Sequence, residues 1–173
     1  MKKNKKLVVD MSVRLFKCHV IMLIVAMLFT FFFGGFLSIE KPVNGYIFTS
    51  VMVLGYGFFL YSESVIEARK NFYNANGRKE ELDLLFGFKC GFAAHIPTLV
   101  LLLIAAILFY LKNNSYLYFN LAFRFWLLPF ISFFPSGDSV HVALYLLYAL
   151  FPCIVCGISY IFGIRECRTI NDI

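Results

Sequence analysis

The side chains best suited to chemistry are two cysteines near the end of the chain. Cys153 and Cys156 stand in FPCIVCGISY, 151–160. Positions three apart share a helix face, and such a dithiol exchanges with disulfides when one thiolate can be reached. Here the neighbours are apolar and uncharged. Cys153 lies about 13 residues into an apolar run, ~20 Å from its start at the helical rise per residue. A thiolate at that depth of a membrane would be poorly solvated. Pro152 allows a local kink, and Gly157 a close helix contact. The pair is therefore read as small packing side chains, with a membrane thiol oxidoreductase as the remote alternative.

Metal binding draws on Cys18, His19, Cys90, His95 and Cys167. Ligands on one helix belong three or four apart, whereas Cys90 and His95 are five apart and Cys18 and His19 adjacent. No compact Cys/His ligand motif is present, so neither a metal nor a cofactor is expected. His95, two residues before Pro97, is weighed as a proton-relay group against a histidine bonded to a backbone carbonyl at a helix end. His141 follows Asp138 and is read as interfacial. Glu63 and Glu67 are placed just beyond the second apolar block, so no carboxylate is expected inside a span. Gly87 and Gly91 form Gly-x-x-x-Gly around Lys89, a spacing that lets helix backbones approach closely. No phosphate loop, nucleophile elbow or zinc-protease motif occurs, and no catalytic residue is assigned.

The elements that must position these residues follow from composition. Of 173 residues, 61% are hydrophobic, only 15% are charged, and 22 are Phe. A soluble domain of this size could not hide that much apolar surface. The apolar residues fall into blocks about 20 long, the length that crosses a bilayer as helix. Four spans are expected, at 18–39, 43–62, 92–111 and 140–164, in one membrane domain covering 1–173. The first block is too long for a signal-peptide core and lacks a cleavage site after it. The polar stretch 63–91 reads as a loop, with a turn at NANG, 74–77, then a short helix in RKEELDLLFGFK, 78–89. Segment 115–134 has spanning length but carries Asn120, Arg124 and Pro129, and an Arg at the bilayer centre costs ~2.5–3.5 kcal/mol. Its dense aromatics suit the headgroup boundary, so it is read as interfacial or re-entrant rather than as a fifth span.

The net charge of +6 does not suggest nucleic acid, because the basic residues flank the apolar blocks. With four spans, one side carries thirteen Lys and Arg residues, from Lys2 to Arg168, and the other only Lys41, Lys112 and Arg124. The positive-inside rule then puts both termini and 63–91 in the cytoplasm.

Two known families bear on these motifs. Vitamin K epoxide reductases are also small four-helix membrane bundles with a Cys-x-x-Cys on the last core helix. They relay electrons through a second cysteine pair on an outer loop, and the outer loops here contain no cysteine. A closer likeness lies in NGRKEELDLLFGFKCGFAAHIP, 76–97, preceded by EARKN, 67–71, together with CIVCGISYIFGI, 153–164. These stretches resemble a family of uncharacterised small four-span membrane proteins of low-GC Gram-positive bacteria. Gly87, Lys89, Gly91, Ile96 and Pro97 match its Gly-x-Lys-x-Gly and Ile-Pro pattern, and Cys156, Tyr160 and Gly163 match its last span. ARKN, ending at Asn71, departs from the family's Asp-Arg-Asn cluster. The resemblance implies topology and no catalytic residues.

The expectation is an all-α integral membrane protein: a four-transmembrane-helix bundle with an interfacial or re-entrant aromatic segment between helices 3 and 4. It sits in the cell membrane as a non-enzymatic accessory, assembly or regulatory subunit. Its partners are the lipid bilayer and a membrane or cytoplasmic protein met through 63–91. A small transporter using His95 and Arg124 is the alternative. The residues singled out are Asn71, Gly87, Lys89, Gly91, His95, Pro97, Arg124, Cys156 and Tyr160.

Overall fold

The structure is a computed structural model that describes residues 2–33, 42–78, 82–112, 116–133 and 142–171. Among the described residues it is all-helical. The order is α1 (Lys2–Phe33), α2 (Pro42–Arg78), α3 (Phe86–Ala94), α4 (Ile96–Tyr110), α5 (Tyr116–Trp126), a 3₁₀ helix (Leu128–Phe133) and α6 (Val142–Asn171).

The helices do not stop at the edges of the apolar blocks. Nothing between Lys2 and Phe33 is Gly or Pro, so α1 begins well before the apolar residues do. Pro42 opens α2 in the first turn, where its missing N–H is no loss. Beyond Ser62 the chain offers Glu, Ala, Arg and Lys, all compatible with helix. The stretch expected as a loop is therefore helical over 63–78, and 74–77, expected as a turn, lies inside α2. The short helix expected over 78–89 starts only at Phe86. Ahead of it Asp83 organises a turn, accepting the Leu85 N–H on Oδ1 at 3.1 Å and the Phe86 N–H on its carbonyl at 3.1 Å.

The third apolar block is broken. Pro97 has no N–H to donate, and its ring clashes with the carbonyl four residues back. The helix accordingly stops at Ala94, and the His95 N–H bonds the Phe92 carbonyl at 3.1 Å in a tightened last turn. α6 runs on through Pro152 without interruption.

Three helices are long and apolar enough to cross a membrane, over Leu7–Phe32, Val43–Gly77 and Tyr145–Ile170. A fourth crossing exists if α3 and α4, bent by 54° at their break, count as one span. α5 has 11 residues and the 3₁₀ helix six. Both fall short of the roughly 20 needed to span.

Side chains pack into two compact units. One comprises Met1–Cys18, Gly57–His95 and Leu150–Ile173, with Leu15, Leu60, Ala68, Cys90, Cys156 and Tyr160 at its centre. The other comprises His19–Tyr56 and Ile96–Ala149, with Ala26, Tyr56, Ala105, Phe123, Phe130 and Tyr145 at its centre. Within the second, α5 lies against α4. Large apolar side chains also point outward at Phe31, Leu54, Leu103 and Tyr118, a distribution suited to hydrocarbon and costly in water.

Candidate functional site

The first unit holds a set of polar groups that bond between helices. Glu63, Glu67 and Asn71 recur every four residues and form one stripe on α2. From α1, Arg14 reaches this stripe. Its Nη1 meets Glu63 Oε2 at 3.4 Å, and its Nη2 forms an ion pair with Glu67 Oε2. The Glu67 side chain is 1% exposed and that of Arg14 38%. Glu67 therefore depends on Arg14 for compensation, while Arg14 keeps a path to the polar boundary. Glu67, expected just beyond the second apolar block, stands there on a helix that continues past Ser62, and it is buried against its neighbours.

One turn beyond Glu67, Asn71 Nδ2 donates to the Tyr160 hydroxyl at 3.1 Å, joining α2 to α6. The Tyr160 ring tilts over Phe86 at 5.4 Å between centroids. On α1, the Ser12 hydroxyl lies 2.7 Å from the Val8 carbonyl and 3.1 Å from the Cys90 carbonyl. Ser12 thus ties α1 to α3.

α3 approaches α6 closely because both carry glycine. A Cβ at Gly87 would lie 2.6 Å from the Cys156 carbonyl oxygen, and one at Gly91 would lie 2.8 Å from the Cys153 Cα. The Phe88 ring fills the space that a side chain at Gly157 would need. Gly163 does the same between α6 and α2, where a Cβ would stand 2.8 Å from that of Ala68. The Cys153 thiol donates to the Phe88 carbonyl at 3.4 Å. Cys156 is fully buried, and the Ser64 hydroxyl faces it without reaching hydrogen-bond geometry. All five cysteines are free thiols. Lys89 is exposed and pairs with Asp83 at 2.6 Å. Among the described residues, no three His, Cys, Asp or Glu side chains converge as a metal site would require.

No family model, curated protein or solved structure matches this chain. Its chemistry has to be read from the side chains themselves.

The second unit has its own buried polar cluster. His19 Nδ1 and the Tyr56 hydroxyl lie 3.1 Å apart, joining α1 to α2. The His19 ring sits 4.9 Å from the Trp126 ring, and Trp126 Nε1–H donates to Thr98 Oγ1 at 2.8 Å. Trp126, at the end of α5, is thereby fixed to α4. Tyr145 donates to Asn120 Oδ1 at 3.4 Å from α6 to α5. Arg124 is half-buried one turn beyond Asn120.

Of the residues singled out in the sequence, Asn71, Gly87, Gly91, Cys156 and Tyr160 come together in the first unit. Lys89 stands at the start of the same helix, α3. His95 is buried at the break after α3, and Pro97 is exposed in the first turn of α4. Arg124 belongs to the second unit, and His141 lies outside the described residues. Sequence reasoning passed over Arg14 and Ser12 in the first cluster and weighed Glu67 only as a residue beyond the span; in the second it passed over Tyr56 and Thr98. The four-residue repeat of Glu63, Glu67 and Asn71, with Arg14 just ahead of the first apolar block, was the available signal.

Proposed function

We propose that this chain is a multi-pass, non-enzymatic component of the cell membrane, an accessory, assembly or regulatory subunit of a membrane complex. Both termini and the end of α2 face the cytoplasm, as the excess of Lys and Arg on that side favours. The observation that carries the proposal is the use of the polar side chains between the helices. Arg14 with Glu67, Asn71 with Tyr160, Ser12 with the Cys90 carbonyl, His19 with Tyr56 and Trp126 with Thr98 bond one another across helices. Their capacity goes into holding helices together, which is what a scaffold within a complex needs. Asn74, Leu84 and Leu85 face outward where α2 ends and the Asp83 turn begins, and this is the surface offered to a protein partner within 63–91. On the same reading, the chain belongs with the small four-span proteins that it resembles over 76–97 and 153–164.

The test is a photo-crosslinking amino acid placed at Asn74 or Leu84 in cells expressing the chain at its native level. A single, stoichiometric protein adduct that survives extraction in mild detergent is expected. A 19.9 kDa chain crosslinked to lipid alone would contradict the proposal.

A small transporter is the second reading, favoured by Glu67, because ionisable groups inside spans often line ion pathways. It predicts flux in reconstituted vesicles that Glu67→Gln abolishes.

A further inference from the structure

The chain between α4 and α6 doubles back inside the second unit. α4 ends at Tyr110, and α5 begins at Tyr116 and lies against it. The two helices are fixed at their far end. There Trp126, the last residue of α5, donates its indole N–H to Thr98 Oγ1 at 2.8 Å. Thr98 is buried in the first turn of α4. α5 therefore runs antiparallel to α4 and returns along most of it. At the helical rise, the step from Thr98 to Tyr110 measures ~18 Å, more than half of a ~30 Å hydrocarbon core. The chain then turns. Leu127, Leu128, Pro129 and Phe130 are all buried. The Phe130 ring stacks on Tyr148 of α6 at 5.3 Å and meets Tyr56 of α2 edge-on at 6.4 Å. Just under one turn earlier on α6, Tyr145 donates to Asn120 Oδ1 at 3.4 Å, and its ring lies 5.2 Å from that of Phe123. α6 thus passes the middle of α5 before it reaches the turn, so it starts on the side where α5 starts. A segment that crossed the membrane would deliver α6 to the opposite side.

The faces of α5 are sorted to match. Leu117, Tyr118, Leu121 and Phe125 recur at three- and four-residue steps and form one stripe, exposed by 48% to 77%. Asn120, Phe123 and Leu127 form the buried face. The outward stripe carries no charge, and Arg124 is half-buried. Its single hydroxyl, on Tyr118, stands at the start of α5, where a headgroup boundary suits a phenol. A helix lying flat on a membrane needs a charged or polar face for water. The outward face of α5 offers none.

We infer that 116–133 is a re-entrant hairpin that enters and leaves on the side where α4 ends, lays Leu117, Tyr118, Leu121 and Phe125 against lipid acyl chains, and carries Trp126 to the middle of the hydrocarbon. Backbone that leaves the regular helix is tolerated at that depth only where protein surrounds it, and Leu127 to Phe130 are surrounded. Acyl chains fit the stripe better than a second protein chain does, because its polarity falls along the helix from Tyr118 to Phe125, as that of a bilayer falls with depth. The inference rests on the reading of the chain as a membrane protein, and not on its being a subunit or a transporter.

Trp126 is the one tryptophan of the chain, so native emission reports its depth. The full chain is reconstituted in phosphatidylcholine vesicles whose acyl chains carry bromine either near the glycerol or near the methyl end. Bromine near the methyl end is expected to cause the larger loss of Trp126 emission. In Trp126→Phe with Tyr118→Trp, the indole at the start of α5 is expected to lose more to bromine near the glycerol. A protease site inserted into the full chain after Lys112 or after Asp138 is expected to be cut from the same side of the vesicle. A larger loss of wild-type emission to the shallow bromine would make α5 interfacial and overturn the inference without recourse to any variant. Cleavage from opposite sides would make 116–133 a crossing and overturn it too. So would emission untouched by either bromine at both tryptophan positions in a chain that floats with the vesicles, because protein would then cover the stripe. A chain that does not float with the vesicles would defeat the membrane reading itself, and the inference with it.

Discussion

Glu67 is the residue whose environment asks most of its neighbours. A carboxylate with 1% of its side chain exposed is stable only while a cation stays beside it. Arg14→Ala should therefore destabilise the protein by about 3 kcal/mol, because it leaves the charge buried and uncompensated. Glu63→Ala should cost less than about 1 kcal/mol, since its contact with Arg14 is longer and partly exposed. Replacing both members, Arg14→Leu with Glu67→Leu, should restore most of the loss, because an apolar pair of similar volume needs no compensation. Reversible unfolding in mixed micelles measures all three. If the double variant is no more stable than Arg14→Ala, the pair does more than neutralise itself, and the transporter reading gains. At this scale the sequence revealed little. It singled out Asn71 and Tyr160, but their bond crosses 89 positions. Glu67 looked like the start of a polar loop, because hydropathy does not register a partner on another helix.

The helices show the opposite balance. Long apolar blocks imply spanning helices because the bilayer accepts little else, and α1, α2 and α6 account for the described residues of three of the four blocks. Their ends were harder to place. Hydropathy marks where side chains become polar, whereas a helix ends where the backbone is broken. Lys2 to Lys17 and Glu63 to Arg78 contain few breakers, so α1 and α2 extend well beyond their apolar stretches. The reading of 92–111 as one span made no use of Pro97, whose effect falls two residues earlier, at His95. Glycine provides the test of helix packing. A Cβ at Gly163 would stand 2.8 Å from the Ala68 Cβ, so Gly163→Ala should force α2 and α6 apart and cost about 1–3 kcal/mol. Nothing lies within 4 Å of a Cβ at Gly77, so Gly77→Ala should stabilise the end of α2 by about 0.5–1 kcal/mol. Thermal unfolding of the two variants should move in opposite directions. Equal shifts would mean that the close α2–α6 contact is not what holds this part together.

For the whole molecule, the governing fact is the large apolar surface that the helices leave outside. Phe31, Leu54, Leu103 and Tyr118 are each at least 60% exposed, so a bilayer is the solvent that this surface fits. The number of crossings then turns on α3 and α4. Counted as one bent span they bring the total to four, which returns the C-terminus to the side of the N-terminus and keeps Lys and Arg concentrated there. Counted as a re-entrant pair they leave three crossings and separate the termini. Fusions of a compartment-sensitive reporter after Gly77 and after Lys112 bracket this pair and decide between the two directly. The account predicts a cytoplasmic signal after Gly77 and an external one after Lys112. Signals from the same side at both positions would contradict it.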